Sequence, residues 1–312
     1  MKRWIYGLAT LFLLGALVSC AASRDSALAK DEEEIVKAKS EGNLTKTLEK
    51  AEEHWKKRAD KAELEKAIEL FEKAVEMKSP NLSESERKKK LARGYERLSR
   101  AYYFKGDTHV RLNVENEKTR EKKMKALFEK GVTAAESALV LRDSDLAKAV
   151  SGGEKLRKIV QDSDPSAIPG LYWYATNLGK WGLLEGIATI LKYKDDIFET
   201  MKFICKEDPT FYYGGCHRYF GAYWTKVPFN KSPEKSKKHF DKSIEMAPEY
   251  LATKVLKANY YAELTQDPEM YKKLLNEVVE SPDDGDPKIQ PENKFEKEKA
   301  KRLLKQVEDK FY

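Results

Sequence analysis

The feature that most constrains this chain is a recurring order of residues: a small side chain, a phenylalanine, another small side chain, then a proline. It is clearest in Ser236, Phe240, Ser243 and Pro248, at spacings of 4, 3 and 5, and returns in Ala67, Phe71, Ala74 and Pro80. Steps of three and four place the first three residues on one face of a helix. Small residues let a second helix approach, the phenylalanine fills the groove between two hairpins, and the proline ends the helix. A helix built this way has an apolar face that a single hairpin cannot cover, so it folds only by packing on neighbouring hairpins.

That order resembles the second helix of a tetratricopeptide repeat. Phe71, Phe128 and Phe240 are separated by 57 and 112 residues, so the array is degenerate and carries insertions. The remaining helices follow from the same periodicity. Leu44, Leu48, Ala51 and Trp55 predict a first helix, and Leu64 to Ala74 its partner. Ser83-Glu84-Ser85-Glu86 offers helix-capping chemistry ahead of Leu91, Tyr95, Leu98 and Tyr102. Gly106-Asp107 reads as a break; a charged insertion at 105–123 with no convincing apolar face, a loop or an extension of either helix, leads to a helix through Met124, Phe128 and Ala138. Leu146 to Ile159 reads as a short helix weakened by Gly152-Gly153, and Pro165 with Pro169-Gly170 as a second break. Helices are then expected from Leu171 to Gly182, Leu183 to Leu191, Asp195 to Cys205 and Gly214 to Lys226, with a break from Pro228 to Pro233. Two more lie on Leu251, Val255, Ala258 and Ala262 and on Met270, Leu274, Leu275 and Val278, and a last one from Glu292 to Asp309. Strand signals are scarce. The expected fold is all-α, an irregular stack of antiparallel helical hairpins in a tetratricopeptide-like superhelix.

The amino terminus has a separate logic. Lys2-Arg3 precedes an apolar run from Trp4 to Val18, too short and too quickly followed by polar sequence to span a membrane. The run closes on Leu17-Val18-Ser19-Cys20, which resembles a bacterial lipobox: a branched residue, a tolerant position, a small residue and a cysteine whose sulfur takes the lipid. The expected organisation is a signal peptide at 1–19, a lipidated amino terminus and tether at 20–40 beginning at Cys20, and a helical repeat domain at 41–312. Several acyl chains, at about 0.8 kcal/mol per CH₂, would hold the protein on the periplasmic side of the inner or outer membrane.

The net charge of +7 is mild, and Lys2 and Arg3 lie in the segment expected to be removed. Acidic and basic residues are interspersed, with no basic stripe of the kind that tracks phosphates, which argues against a nucleic-acid partner. The four histidines, 54, 109, 217 and 239, form no metal-binding pattern with the cysteines, and adjacent Cys216-His217 has no orienting third group. No metal, no cofactor and no catalytic residue are therefore assigned, and the chain is not expected to be an enzyme. Cys205 and Cys216 are the only cysteines besides Cys20; in an oxidising envelope a disulfide and two buried thiols are both open.

Aromatic residues crowd two phrases, Leu171 to Gly182 and Tyr212 to Trp224. Packing between hairpins accounts for most of them. A second reading lets Tyr172, Trp173, Trp181, Tyr213, Tyr219, Tyr223 and Trp224, with Arg218 as the charged contact, line a concave groove for a small organic solute or a partner surface.

The same phrases carry a family resemblance. Leu171-Tyr172-Trp173-Tyr174-Ala175 with Leu178-Gly179-Lys180-Trp181, Asp208-Pro209-Thr210-Phe211-Tyr212-Tyr213-Gly214-Gly215 with Arg218 and Gly221-Ala222-Tyr223, Lys237-Lys238-His239-Phe240, and Tyr250-Leu251-Ala252-Thr253-Lys254-Val255 together resemble the T component of tripartite ATP-independent periplasmic (TRAP) transporters. The resemblance runs from about Leu44 to Val279, and Cys216 departs from it. It implies an envelope lipoprotein that associates with the transporter's periplasmic substrate-binding protein, and it supplies no catalytic residues. A general cell-envelope scaffold for secretion or cell-wall machinery is the alternative. Helical repeats also self-associate, so a homo-oligomer is compatible with either.

Overall fold

The computed structural model describes residues 21–37, 39–227 and 230–312; Cys20, the apolar leader and Pro228 lie outside these. The described residues are helical, with no β-strand among them. Antiparallel hairpins follow one another. The first pairs α1 (Leu44–Lys56) with α2 (Lys61–Val75), and the second pairs α3 (Glu84–Lys105) with α4 (Glu117–Arg142). After a short helix α5 (Ser144–Ser151) comes the hairpin of α6 (Ile168–Glu185) and α7 (Ile187–Glu207), then that of α8 (Phe211–Lys226) and α9 (Pro233–Met246). The chain closes with α10 (Ala252–Leu256), α11 (Pro268–Glu280), α12 (Gln290–Leu304) and α13 (Val307–Phe311). Polar side chains close the exposed first turns: Asn43, Asp60, Asn116 and Asp267 accept from backbone N–H groups, and the capping expected at 83–86 takes the form of a capping box between Ser83 and Glu86.

The phenylalanine pattern works as the spacing requires. Phe71, Phe128 and Phe240 are all completely buried. At the clearest phrase, a Cβ on Gly221 would lie 2.6 Å from the Phe240 ring, so the glycine is what lets the ring reach the α8 backbone. The two small residues do more than leave room: Ser236 donates to the Gly221 carbonyl at 2.8 Å and Ser243 to that of Gly214 at 3.1 Å.

Four expectations are corrected. Gly106-Asp107 does not break the helix. The chain passes through a π-helical turn, Gly106–Val110, and continues to Asn113; of the readings open for the charged insertion, the structure shows an extension, shared between the end of one helix and the start of the next. Packing explains this: Gly106 lies under the Phe128 ring and Asp107 meets three cations, which outweigh a glycine's helix penalty of about 1 kcal/mol. Leu183 to Leu191 is not a helix, because Gly186 at φ 117° turns the chain between α6 and α7, and α7 absorbs the helix expected at Asp195. The final helix stops at Leu304, and a separate short helix follows. The tether is not free of the body from Ala22 onward. Glu136, 1% exposed, accepts from Arg24, from the Ser26 hydroxyl and from the Ala27 amide, and Ala27, Leu28 and Ile35 are buried.

The stack also bends back on itself. Glu292 of α12 receives Arg58, from the α1–α2 turn, and Arg100 of α3, while Arg58 donates to the Lys288 carbonyl 230 residues away. Phe295 packs edge-on against Phe104 at 5.6 Å and His109 at 4.7 Å, and Lys299 reaches Asp107. The last hairpin is thereby fastened to the first two across the concave side.

Candidate functional site

The closed concave side holds a cavity of about 670 Å³ to which α3, α6, α8, α10 and α12 all contribute. Its inner end is set by an unusual piece of backbone. Tyr212 (φ 47°, ψ 52°), Tyr213 (φ 60°, ψ 49°) and Gly214 (φ 68°, ψ 34°) form a left-handed turn at the start of α8. For the two tyrosines this conformation costs roughly 1–2 kcal/mol each, and such strain persists only where surrounding contacts hold it. Here they are explicit. The Arg218 guanidinium, one turn further along α8, donates to the Tyr213 carbonyl at 2.9 Å and the Tyr212 carbonyl at 3.0 Å, so the strained turn is clamped by the cation it surrounds.

Arg218 is 6% exposed and has no carboxylate partner among the described residues. Besides the two carbonyls it donates to the Tyr172 hydroxyl at 3.0 Å, and its guanidinium lies 4.6 Å from the Tyr250 ring centroid and 5.7 Å from that of Tyr212. These partners are neutral. Carbonyls, a phenol and aromatic faces replace its water without cancelling its charge. Gly215 makes the arrangement sterically feasible, since a Cβ there would fall 2.5 Å from the Tyr172 ring. Burial pushes the Tyr212 phenol up to about 12 and that of Tyr250 well above its ordinary value, so both stay protonated beside the cation.

Arg100 also lines the cavity. It pairs with Glu292 at 2.9 Å, lies 4.9 Å from the Tyr212 ring centroid, and keeps a buried Nε with no hydrogen-bond partner. A second charged cluster lines the same space. Asp107 pairs with Lys180 at 2.8 Å, Lys299 at 2.6 Å and Arg111 at 3.3 Å. Burial works to raise the Asp107 carboxyl, but Lys180, Lys299 and Arg111 together hold it well below the usual carboxylate range. Around the whole cavity nine basic side chains face three acidic ones, so an excess of positive charge acts in a space walled by aromatic and aliphatic groups.

Of the expected groove residues, the structure brings together Tyr172, Arg218, Tyr219 and Tyr223 as cavity lining. It places the other four in the packing. Trp173 sits between Tyr103, Tyr172 and Tyr212, and Trp181 is 2% exposed against Tyr193. Tyr213 stacks flat on Tyr250 at 4.9 Å, and Trp224 lies under the Lys235 ammonium at 4.3 Å. On α8 the cavity takes Gly215, Arg218, Tyr219, Ala222, Tyr223 and Lys226, a face of three- and four-residue steps that leaves Trp224 beside it, while Tyr213 is turned away by the left-handed backbone. Arg100, Asp107, Lys299 and Glu292 escape local reading because each contributes through a tertiary neighbour. The density of tyrosine around Tyr212 and Tyr250 was the one available signal.

Cys205 and Cys216 are joined as a disulfide between the end of α7 and the start of α8. Beside it His217 and His239 face each other, Nδ1 to Nδ1, at 2.9 Å. The donor atoms of Cys205, Cys216 and His217 lie within 4.8 Å of one another, but joined sulfurs are not the thiolates that metal ions bind.

No curated protein matches the chain. A family model, that of the TRAP transporter T-component, matches residues 90–311, a span that includes every cavity residue named above. The match covers well over half of the sequence, and on that ground the chain belongs to the TRAP transporter T-component family.

Proposed function

We propose that this chain is a membrane-anchored periplasmic accessory protein that docks the substrate-binding protein of a TRAP transporter and holds an anionic organic solute in its cavity. Membership of a transporter accessory family, rather than an enzyme family, favours this reading over a general envelope scaffold. The observation that carries the solute half is Arg218: a buried cation, without a carboxylate partner among the described residues, lining a cavity of about 670 Å³ large enough for a small organic molecule. A carboxylate entering beside it would meet the Arg218 guanidinium, while apolar parts of the solute would contact the tyrosine faces. Cys20 is the residue proposed to carry the lipid.

The test is titration calorimetry of the lipid-free protein against a panel of small organic acids and their uncharged amides, with a parallel pull-down of the substrate-binding protein. Acids should bind and amides should not. Arg218→Lys should retain part of the affinity, and Arg218→Gln should lose it by roughly tenfold or more, as expected for a charge-assisted hydrogen bond. No binding by any acid would overturn the solute half, and no capture of the substrate-binding protein, loaded or empty, would overturn the docking half.

A further inference from the structure

The large apolar side chains left exposed among the described residues, apart from the terminal Tyr312, are Leu183, Ile187 and Leu191, at 61%, 65% and 40%. All three sit on one corner, where Gly186 turns the chain from α6 into α7, and all three line the mouth of the cavity. The packing that buries nearly every other large apolar group leaves this corner without a partner among the described residues.

The amino terminus arrives at the same corner. The Ala22 amide donates to the Thr189 hydroxyl at 2.9 Å; Thr189, 2% exposed, belongs to the same first turn of α7 as Ile187 but points to the other face of the helix. Lys192 donates to the Ser23 hydroxyl at 2.8 Å and to the Ala22 carbonyl, and it has no carboxylate partner among the described residues. Two residues of chain span at most about 7 Å, so whatever Cys20 carries is confined close to this corner. The anchorage is strong for so short a segment, because Arg24 and Ser26 are held two to four residues later by buried Glu136.

We infer that the corner formed by Leu183, Ile187 and Leu191 is a bilayer-docking face, pressed into the lipid surface by the acyl group at Cys20 so that the cavity opens toward the membrane. The inference rests on Cys20 being lipidated. Three adjacent apolar side chains are too few to hold a protein on a bilayer by themselves, but an acyl anchor tied to the same end of α7 removes much of the cost of bringing them there, and Lys192, exposed at that end, is available to an anionic headgroup. A tether of free chain would have left the orientation open; the short, bonded connection selects the end of the molecule where α6 turns into α7.

The experiment uses the mature chain from Cys20, coupled through the Cys20 thiol to a maleimide lipid in vesicles of phosphatidylethanolamine and phosphatidylglycerol, with and without bromine-substituted acyl chains. Two variants carry an added indole, Ile187→Trp at the corner and Asp284→Trp on a distant exposed turn. Bromolipid should extinguish the extra emission of the first and leave that of the second unchanged. An Ile187→Trp signal that stays unquenched on anchored protein overturns the inference. So does a signal shielded without bromolipid quenching in a species that sediments as an oligomer or co-sediments with the substrate-binding protein, which would assign the corner to a second copy or to that partner. Because the coupling is chemical, this result does not depend on natural acylation. Mass spectrometry of the native amino terminus tests that separately, and an unacylated Cys20 overturns the anchor reading, and with it the inference, even where the vesicles give quenching.

Discussion

A histidine pair provides the clearest residue-scale test. Burial, reinforced by Lys242 and the facing His239, depresses the His217 imidazole to about 4, and burial with Lys238 and Lys242 depresses that of His239 as well. Both rings are therefore neutral in the fold at pH 7. In the unfolded chain they titrate near the ordinary 6.5, so between about 6.5 and 4 the unfolded state binds more protons and stability falls as the pH is lowered. Thermal unfolding followed from pH 7.5 to 4.5 should show a declining melting temperature, and His217→Phe should flatten that decline. The pH range separates this effect from Asp107, whose carboxyl is held below its ordinary value and so loses its contribution only under more acidic conditions.

At the scale of elements, the helices are legible where a local pattern and the packing agree. Phe240 with Ser236 and Ser243 was readable because the spacing states which face is buried, and Phe240→Ala should cost about 3–5 kcal/mol in denaturant unfolding, as expected for truncating a fully buried aromatic. The π-helical turn at Gly106–Val110 was not readable, since glycine and aspartate normally end helices and only Phe128, Lys180 and Lys299 make continuation favourable. The left-handed turn at Tyr212 and Tyr213 was equally hidden, because no propensity favours tyrosine there and a cation six and five residues ahead stabilises it. The α7–α8 connection can be tested through its disulfide. Labelling of unfolded, unreduced mature protein should find no free thiol at 205 or 216, and a Cys205→Ser and Cys216→Ser double variant should lose about 2–3 kcal/mol for a loop of this length.

For the molecule as a whole, closure of the stack decides whether there is a site at all. Glu292 is 5% exposed and joins Arg58 and Arg100 from two separate hairpins. Glu292→Ala strands both cations and should destabilise the protein by roughly 3–5 kcal/mol. It should also loosen the carboxy-terminal hairpin first, seen as early hydrogen exchange in residues 290–311. Periodicity by itself determined that the chain is helical, that its helices pair and stack, and where the buried phenylalanines lie, because those properties depend on neighbours three and four residues away. Which aromatics face the cavity, which charges meet within it, and that the ends of the stack close over it were decided only by the tertiary structure. Those contacts join residues as many as 234 positions apart, and no local spacing encodes them.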